Sequence, residues 1–240
     1  MSEQTDRRAQ KKAQTRQLIR AIAHEMFAER GFDSVTIADI AGQADVAVQT
    51  VFNHFATKEE LFFDGRTPWV DGPAEAIRSR DASVSPLTAL RTYLVEVSGS
   101  LVGSLCTEER RRYRAILQAS AALRAREGEL IFEAERRLAA ALRETWAADL
   151  GAHGHVTPAD PHLAAPLLAG IWLTAARVLI VENRALVAEG ADPAEAAAKA
   201  EDYAEQLFAQ MQAAFAQMVG KPGARTQPDN GWPQAVRRAG

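Results

Sequence analysis

Cysteine is nearly absent from this chain: Cys106 is the single one in 240 residues. No disulfide can close within one molecule, which excludes a bridge-stapled secreted fold and suits a reducing cytoplasm. Aromatic residues make up only 7%. No series of alternating β-branched runs occurs, so the pattern of a sheet is missing. The charged amino terminus lacks the apolar stretch of a signal peptide. No glycine-rich phosphate loop and no nucleophile motif is found. Positive charge is not in excess either. The formal net charge is -3, and residues 1–60 hold eight Lys/Arg against nine Asp/Glu. Any affinity for nucleic acid must come from where charges sit, because the total does not supply it.

What is present is a helix-forming mixture. Alanine is abundant beside Arg, Glu and Leu, with 47% hydrophobic and 25% charged residues, so an all-α fold is expected. The length allows one large domain or two modest ones. Residues 1–10 are polar and are expected to be flexible. A helix is predicted from about Lys12 to Arg30, with Leu18, Ile19, Ile22, Ala23, Met26 and Phe27 on one face. Gly31 is placed to end it in the left-handed conformation. Basic residues gather along it at Arg7, Arg8, Lys11, Lys12, Arg16 and Arg20, with no acid between Arg7 and His24.

Two short helices and a tight turn follow. Thr36 and Asp39 have capping-box spacing. Ile37, Ile40 and Ala41 face inward, Gly42–Asp45 turns, and Val46 fills the corner. The next helix spans roughly Ala47 to Phe55, with Val48, Val51, Phe52 and Phe55 as apolar candidates. Gln49, Thr50, Asn53 and His54 form a compact polar face of a size that enters the major groove of B-DNA. Thr57 caps a fourth helix, with Glu60 at the capping-box position and Leu61, Phe62 and Phe63 buried.

Gly65 to Ser85 reads as a looser connection with a short helical piece around Pro73–Arg80. Beyond it a cap residue followed by proline marks three helix starts: Ser85-Pro86, Thr157-Pro158 and Asp192-Pro193. Thr107 marks another, and Gly128 suggests a break. Five long helices are therefore expected between Ser85 and Gly220, and a flexible tail over residues 221–240. The most apolar segment, Leu163–Val181, is interrupted by Pro166, Gly170 and Arg177 and reads as a buried helix, with no membrane partner.

With Thr36, Ile40, Ala41, Ala44, Val46, Thr50, Phe52, His54, Phe55, Lys58, Glu59 and Leu61 in order, residues 12–63 resemble the TetR family of transcriptional regulators. The resemblance implies a three-helix DNA-binding domain over residues 11–63 and a helical ligand-binding and dimerisation domain over 64–220. It implies a homodimeric repressor that leaves double-stranded operator DNA when an unknown small-molecule effector binds. The chain departs from the family's pattern at three positions. Asp45 replaces a glycine but tolerates the left-handed region. Ala47 replaces a capping Ser or Thr, a loss of about 1 kcal/mol. Phe52 replaces a tyrosine, so the ring can pack while a phosphate contact goes.

Gln49, Thr50 and Asn53 are the candidates for reading base edges, and Val48 for touching a thymine methyl. Thr36, His54 and Lys58 match family positions that contact phosphate, though Thr36 also serves as a cap. For the effector, the polar and aromatic residues on apolar helix faces are Arg91, Tyr93, Tyr113, Gln118, Trp146, Trp172, Thr174, Arg177 and Asn183, and a mostly apolar compound is expected. Leu163, Leu167, Ile171, Val178 and Leu179, with Tyr203, Leu207, Met211, Phe215 and Met218, mark two late helices as core or, by resemblance, as a four-helix interface with a second copy. No cofactor, metal or catalytic residue is expected. His153, His155 and His162 lie close to Asp160, but no second cluster completes a metal site. The competing readings are a regulator or activator that takes no ligand and a metal-dependent helical enzyme.

Overall fold

The computed structural model describes residues 2–148 and 157–219. Among the described residues ten α-helices follow one another: α1 Ser2–Arg30, α2 Ile37–Gln43, α3 Val48–His54, α4 Lys58–Phe63, α5 Pro68–Arg78, α6 Pro86–Gly103, α7 Glu108–Ala119, α8 Ala121–Ala148, α9 Pro161–Ala188 and α10 Pro193–Val219. No strand occurs among the described residues. His153, His155 and the tail expected over 221–240 lie outside them.

Helix α1 begins well before the expected Lys12, because no glycine or proline stands between Ser2 and Arg30 to stop it. Ile19, Ala23, Met26 and Phe27 are buried along its inner stripe. Leu18 falls outside that stripe and is 49% exposed, against the expectation of an inward position. Gly31 ends the helix at φ +79, with its N–H bonded to the Phe27 carbonyl at 3.0 Å. Asp45 does adopt the left-handed region, at φ 51.

Three later boundaries differ from the sequence reading. The segment read as a loose connection is mostly helix α5, with Pro73 inside it. Burial of Val70, Ala74 and Ile77 outweighs the proline, and Gly72 lets the Tyr93 ring approach so closely that a Cβ there would lie 1.9 Å from its hydroxyl. Gly128 does not break a helix; it lies within α8, where Leu123, Leu130, Ala134 and Leu138 are buried on one side. The break falls at Ser120, whose N–H closes α7 on Ile116. Helix α9 starts at Pro161 rather than Pro158, with Asp160 accepting from the N–H groups of His162 and Leu163 at 3.0 and 3.2 Å. A start at Pro158 would put Pro161 at the fourth position, where the first intrahelical N–H is needed.

Two hydrophobic interiors organise the chain. One joins α1–α4 to Leu117 of α7 and to Leu123, Leu130 and Ala134 of α8. Phe27, Phe32 and Phe62 meet at centroid distances of 5.1–5.9 Å, and the Tyr113 ring stacks on Phe62 at 4.9 Å and 11°. Ser120 donates to the Asp33 carboxylate at 2.8 Å across the same boundary. The other lies among α5, α6, α8, α9 and α10, around Leu90, Leu142, Trp146, Trp172 and Phe208.

Where α1 meets α4, the ring of His24 bonds the Leu61 carbonyl at 3.1 Å. Burial, with help from the Arg66 charge, pushes its pKa down to about 4. The native state thus keeps it neutral where an unfolded chain would protonate near pH 6.5. Stability from this residue is present above pH 6.5 and is lost as pH falls toward 4. Allowing for its partial exposure, the expected loss is about 2 kcal/mol. Urea melts of His24→Gln from pH 7 to pH 4 should show a flatter pH dependence than the parent; parallel curves would sink the assignment.

Candidate nucleic-acid interface

Helix α3 has no side-chain cap, as Ala47 implies. Its orientation comes from the other end. Val51 and Phe55 are buried, and Arg16 of α1 reaches the carboxyl end of the helix. That guanidinium donates to the His54 carbonyl and the Asp64 carboxylate, and lies 4.1 Å over the Phe55 ring. Arg20 joins Asp64 at 3.5 Å. Two of the six basic residues between Arg7 and Arg20 are therefore spent on architecture, while Arg7, Arg8, Lys11 and Lys12 are exposed. The Glu60 carboxylate, which the sequence assigns to a capping box, accepts from Ala56 N–H at 2.8 Å.

The exposed face of α3 carries Val48, Gln49, Phe52 and Asn53, and Thr50 is half-buried. Gln49 donates to the Asn53 side-chain oxygen at 3.2 Å. Phe52, expected to pack, is 45% exposed; the buried stripe of so short a helix has room only for Val51 and, just past its end, Phe55. His54 is half-buried with its Nδ1 unpartnered. Burial, then the charges of Lys12 and Arg16, lower its pKa and favour the neutral ring.

Two of the residues matched to phosphate contacts are engaged elsewhere. Thr36 completes the capping box: it accepts from Asp39 N–H at 3.1 Å, and its one hydroxyl proton goes to Asp39 Oδ2 at 2.6 Å. Lys58 donates to the Phe32 and Val35 carbonyls at 3.0 and 2.9 Å and lies 4.1 Å over the Phe32 ring. It ties the corner between α1 and α2 to the start of α4 and keeps one N–H of its three.

Between α5, α6, α7, α8 and α9 lies a cavity of about 290 Å3. Of the nine residues proposed for an effector, Tyr93, Tyr113, Gln118 and Arg177 line it. The other five do not. Trp146 stacks on Phe215 and Trp172 on Phe208 within the second interior. The Trp172 indole N–H finds no acceptor there. Arg91 faces Glu205 at 3.6 Å, Thr174 is exposed, and Asn183 donates to the Leu179 carbonyl at 2.8 Å. Missed were Arg66, Arg110, Arg114 and Arg184. A signal existed: Arg110, Tyr113, Arg114 and Gln118 share one helical face by spacing, as do Arg177 and Arg184. Among the described residues no group of three His, Cys, Asp or Glu could hold a metal ion.

The late helices do not bury their apolar stripe within one chain. Of the twelve large hydrophobic residues exposed among the described residues, eight lie on α9 and α10. Leu163, Leu167, Ile171 and Val178 share one exposed face of α9 by spacing, and Tyr203 and Met218 are exposed on α10. The expectation of an internal core therefore fails for these six, while Phe215 is buried. Helix α9 is long and apolar enough to cross a membrane, yet its opposite face, with Ala165, Ala169, Trp172 and Ala176, is buried in the protein.

The sequence pattern described as "Bacterial regulatory proteins, tetR family" matches residues 19–64. None of the curated proteins matches the chain. Among solved structures it is similar to SmeT in complex with triclosan, at 22% identity over 79% of this chain and 89% of that one, with a TM-score of 0.50. SmeT is the repressor of the Stenotrophomonas maltophilia multidrug efflux pump SmeDEF. NalD, the secondary repressor of the MexAB-OprM pump in Pseudomonas aeruginosa, is 22% identical over 82% and 96%, with a TM-score of 0.47. Salmonella enterica GusR is 20% identical over 86% and 96%, with a TM-score of 0.49. At these identities the likeness is one of fold.

Proposed function

We propose, from the premise that this chain carries the DNA-binding domain of the TetR family and is a transcriptional regulator, that it works as a cytoplasmic homodimeric repressor. A small molecule in the cavity among α5–α9 would release it from operator DNA. The observation that carries the reading is the exposed polar face of α3, held in place by Arg16 while Gln49 and Asn53 face outward. Both amides can pair bidentately with adenine, at the cost of the hydrogen bond between them. The exposed cations Arg7, Arg8, Lys11 and Lys12 supply phosphate contacts beside it. The half-buried Lys58, with one free N–H, and His54 add to these, whereas Thr36 acts as a cap.

The unpaired stripe on α9 and α10 supports a second copy as the partner, because an apolar surface of this extent is costly in water. A two-fold dimer also brings two reading helices to successive major grooves. The cavity favours a ligand-responsive regulator over one that acts without a ligand.

Selection of bound fragments from a genomic pool tests the reading. The expected yield is an inverted repeat whose half-sites lie on one face of the duplex. Asn53→Ala or Gln49→Ala should then cost about 1–3 kcal/mol on that site and much less on random DNA at the same salt. Recovery of no shared sequence, or equal losses on both DNAs, would remove the base-reading role.

A further inference from the structure

The cavity among α5–α9 has two unlike parts. Trp69, Leu94, Val97, Ile131, Leu173 and Ile180 give it apolar walls. Against them stand five guanidinium groups, from Arg66, Arg110, Arg114, Arg177 and Arg184, and a single carboxylate, Glu127. That carboxylate is already held by Arg114 at 3.0 Å. Arg184 directs Nε and Nη2 at one neutral acceptor, the Leu101 carbonyl, at 3.1 and 3.0 Å. Arg66 lies over the Tyr113 ring at 4.8 Å and the Phe62 ring at 5.7 Å. Arg66, Arg110, Arg177 and Arg184 meet no carboxylate within ion-pair distance among the described residues.

For Arg66 and Arg184, the two partly sheltered ones, this is costly, whereas Arg110 and Arg177 are exposed. Taking a guanidinium partly out of water is compensated only by an opposite charge close by. The strain shows in the titration of the two most sheltered ones. Burial, with the Arg114 charge next, brings Arg184 down to about 10. Burial also lowers Arg66, and Arg110 adds to the effect in both cases. The arginines thus sense one another around Tyr113, whose own hydroxyl burial raises to about 12. Glu127 and Tyr113 offset part of this at Arg184, as Tyr113 and Glu109 do at Arg66, but among the described residues no carboxylate pairs directly with either guanidinium.

We propose that the cavity is built for an organic anion, with a carboxylate, sulfonate or phosphate head held by Arg110 and Arg184 beside Tyr113 and an apolar body along α6, α8 and α9. A forked guanidinium is the group that matches such a head. The expected effector class shifts accordingly, from a mostly apolar compound to an acidic one. Arg66 gives the charge a route to the DNA-reading end. It stands three residues past the end of α4, over Phe62, and it also lines the crevice formed with Arg20, His24, Asp64 and Glu109. An anion that draws Arg66 inward acts on the group packed over the α4 core, next to the Asp64 carboxylate that holds Arg16. The inference rests on reading the cavity as the effector site.

Three probes of like shape and different charge test it by calorimetry on the full-length protein: phenylbutyrate, phenylbutyramide and phenylbutylamine. Phenylbutyrate is expected to bind at least about tenfold more tightly than the amide, and the amine more weakly still. Arg110→Gln and Arg184→Gln should each weaken the acid by about tenfold and leave the amide unchanged. Arg110 is exposed, so its replacement spares the fold, and a thermal melt monitors Arg184→Gln. The proposal is overturned if the amide or amine equals the acid, if both variants weaken acid and amide alike, or if none of the three binds at about 5 mM, where even a feeble ligand registers. Operator release separates the two readings. Release by the amine alone leaves the ligand-released repressor standing and removes the anion. Tight binding of the acid with no release from the selected operator keeps the anion and removes the repressor's release mechanism.

Discussion

Ile171→Glu is expected to leave a folded monomer that has lost operator binding. The side chain is 57% exposed in the single chain, in line with Leu163, Leu167 and Val178, so the substitution disturbs no interior. In the proposed dimer it would bury a carboxylate within an apolar interface, a cost of several kcal/mol on each side of a two-fold contact. Operator affinity should fall by about 10²–10⁴-fold, the gain that linking two half-sites ordinarily provides. Sedimentation velocity gives the oligomeric state and a mobility-shift titration the affinity. A dimer that persists with full operator binding would place the interface elsewhere.

Arg16→Ala should be the most damaging single change within the amino-terminal helices. It removes the donor to the His54 carbonyl and to Asp64, and uncovers the Phe55 ring. With no cap at Ala47, nothing comparable fixes the other end of α3. A stability loss of about 2–3 kcal/mol follows from broken hydrogen bonds, a half-buried carboxylate left with Arg20 as its one ion-pair partner, and a lost ring contact. Arg16→Lys should recover little, because one ammonium cannot serve a carbonyl, a carboxylate and a ring together. The melting temperature decides between this role and a phosphate contact. An unchanged melting temperature with a salt slope reduced by about one would show that Arg16 meets DNA instead.

The sequence announces the parts of this structure that rest on local chemistry. The Thr36 capping box, the Asp45 turn, the bare end at Ala47 and the cap–proline starts at Ser85 and Asp192 are each settled within four residues of chain. What replaces a missing cap is not local: Arg16 reaches His54 across 38 positions. The period of Leu163, Leu167 and Ile171 is plain in the sequence, but period alone does not say whether a stripe faces the chain's own interior or a partner. Gly128 misleads because its cost of about 1 kcal/mol is small beside the burial along a 28-residue helix. Two of the cavity arginines, Arg110 and Arg114, stand in a run so charged that composition suggests a solvated face. Only their three-and-four spacing groups Arg110, Tyr113 and Arg114 on one side.

The continuity of the first interior bears on how such a protein could be recombined. Tyr113, Leu117, Leu123 and Leu130 belong to the packing of Phe27 and Phe62 as much as Phe32 does. A reading head cut after Phe63 and grafted onto a foreign helical body would arrive with its floor missing. An exchange of operator specificity between two such proteins would have to carry α7 and the first turns of α8 along, or confine itself to the outward residues of α3.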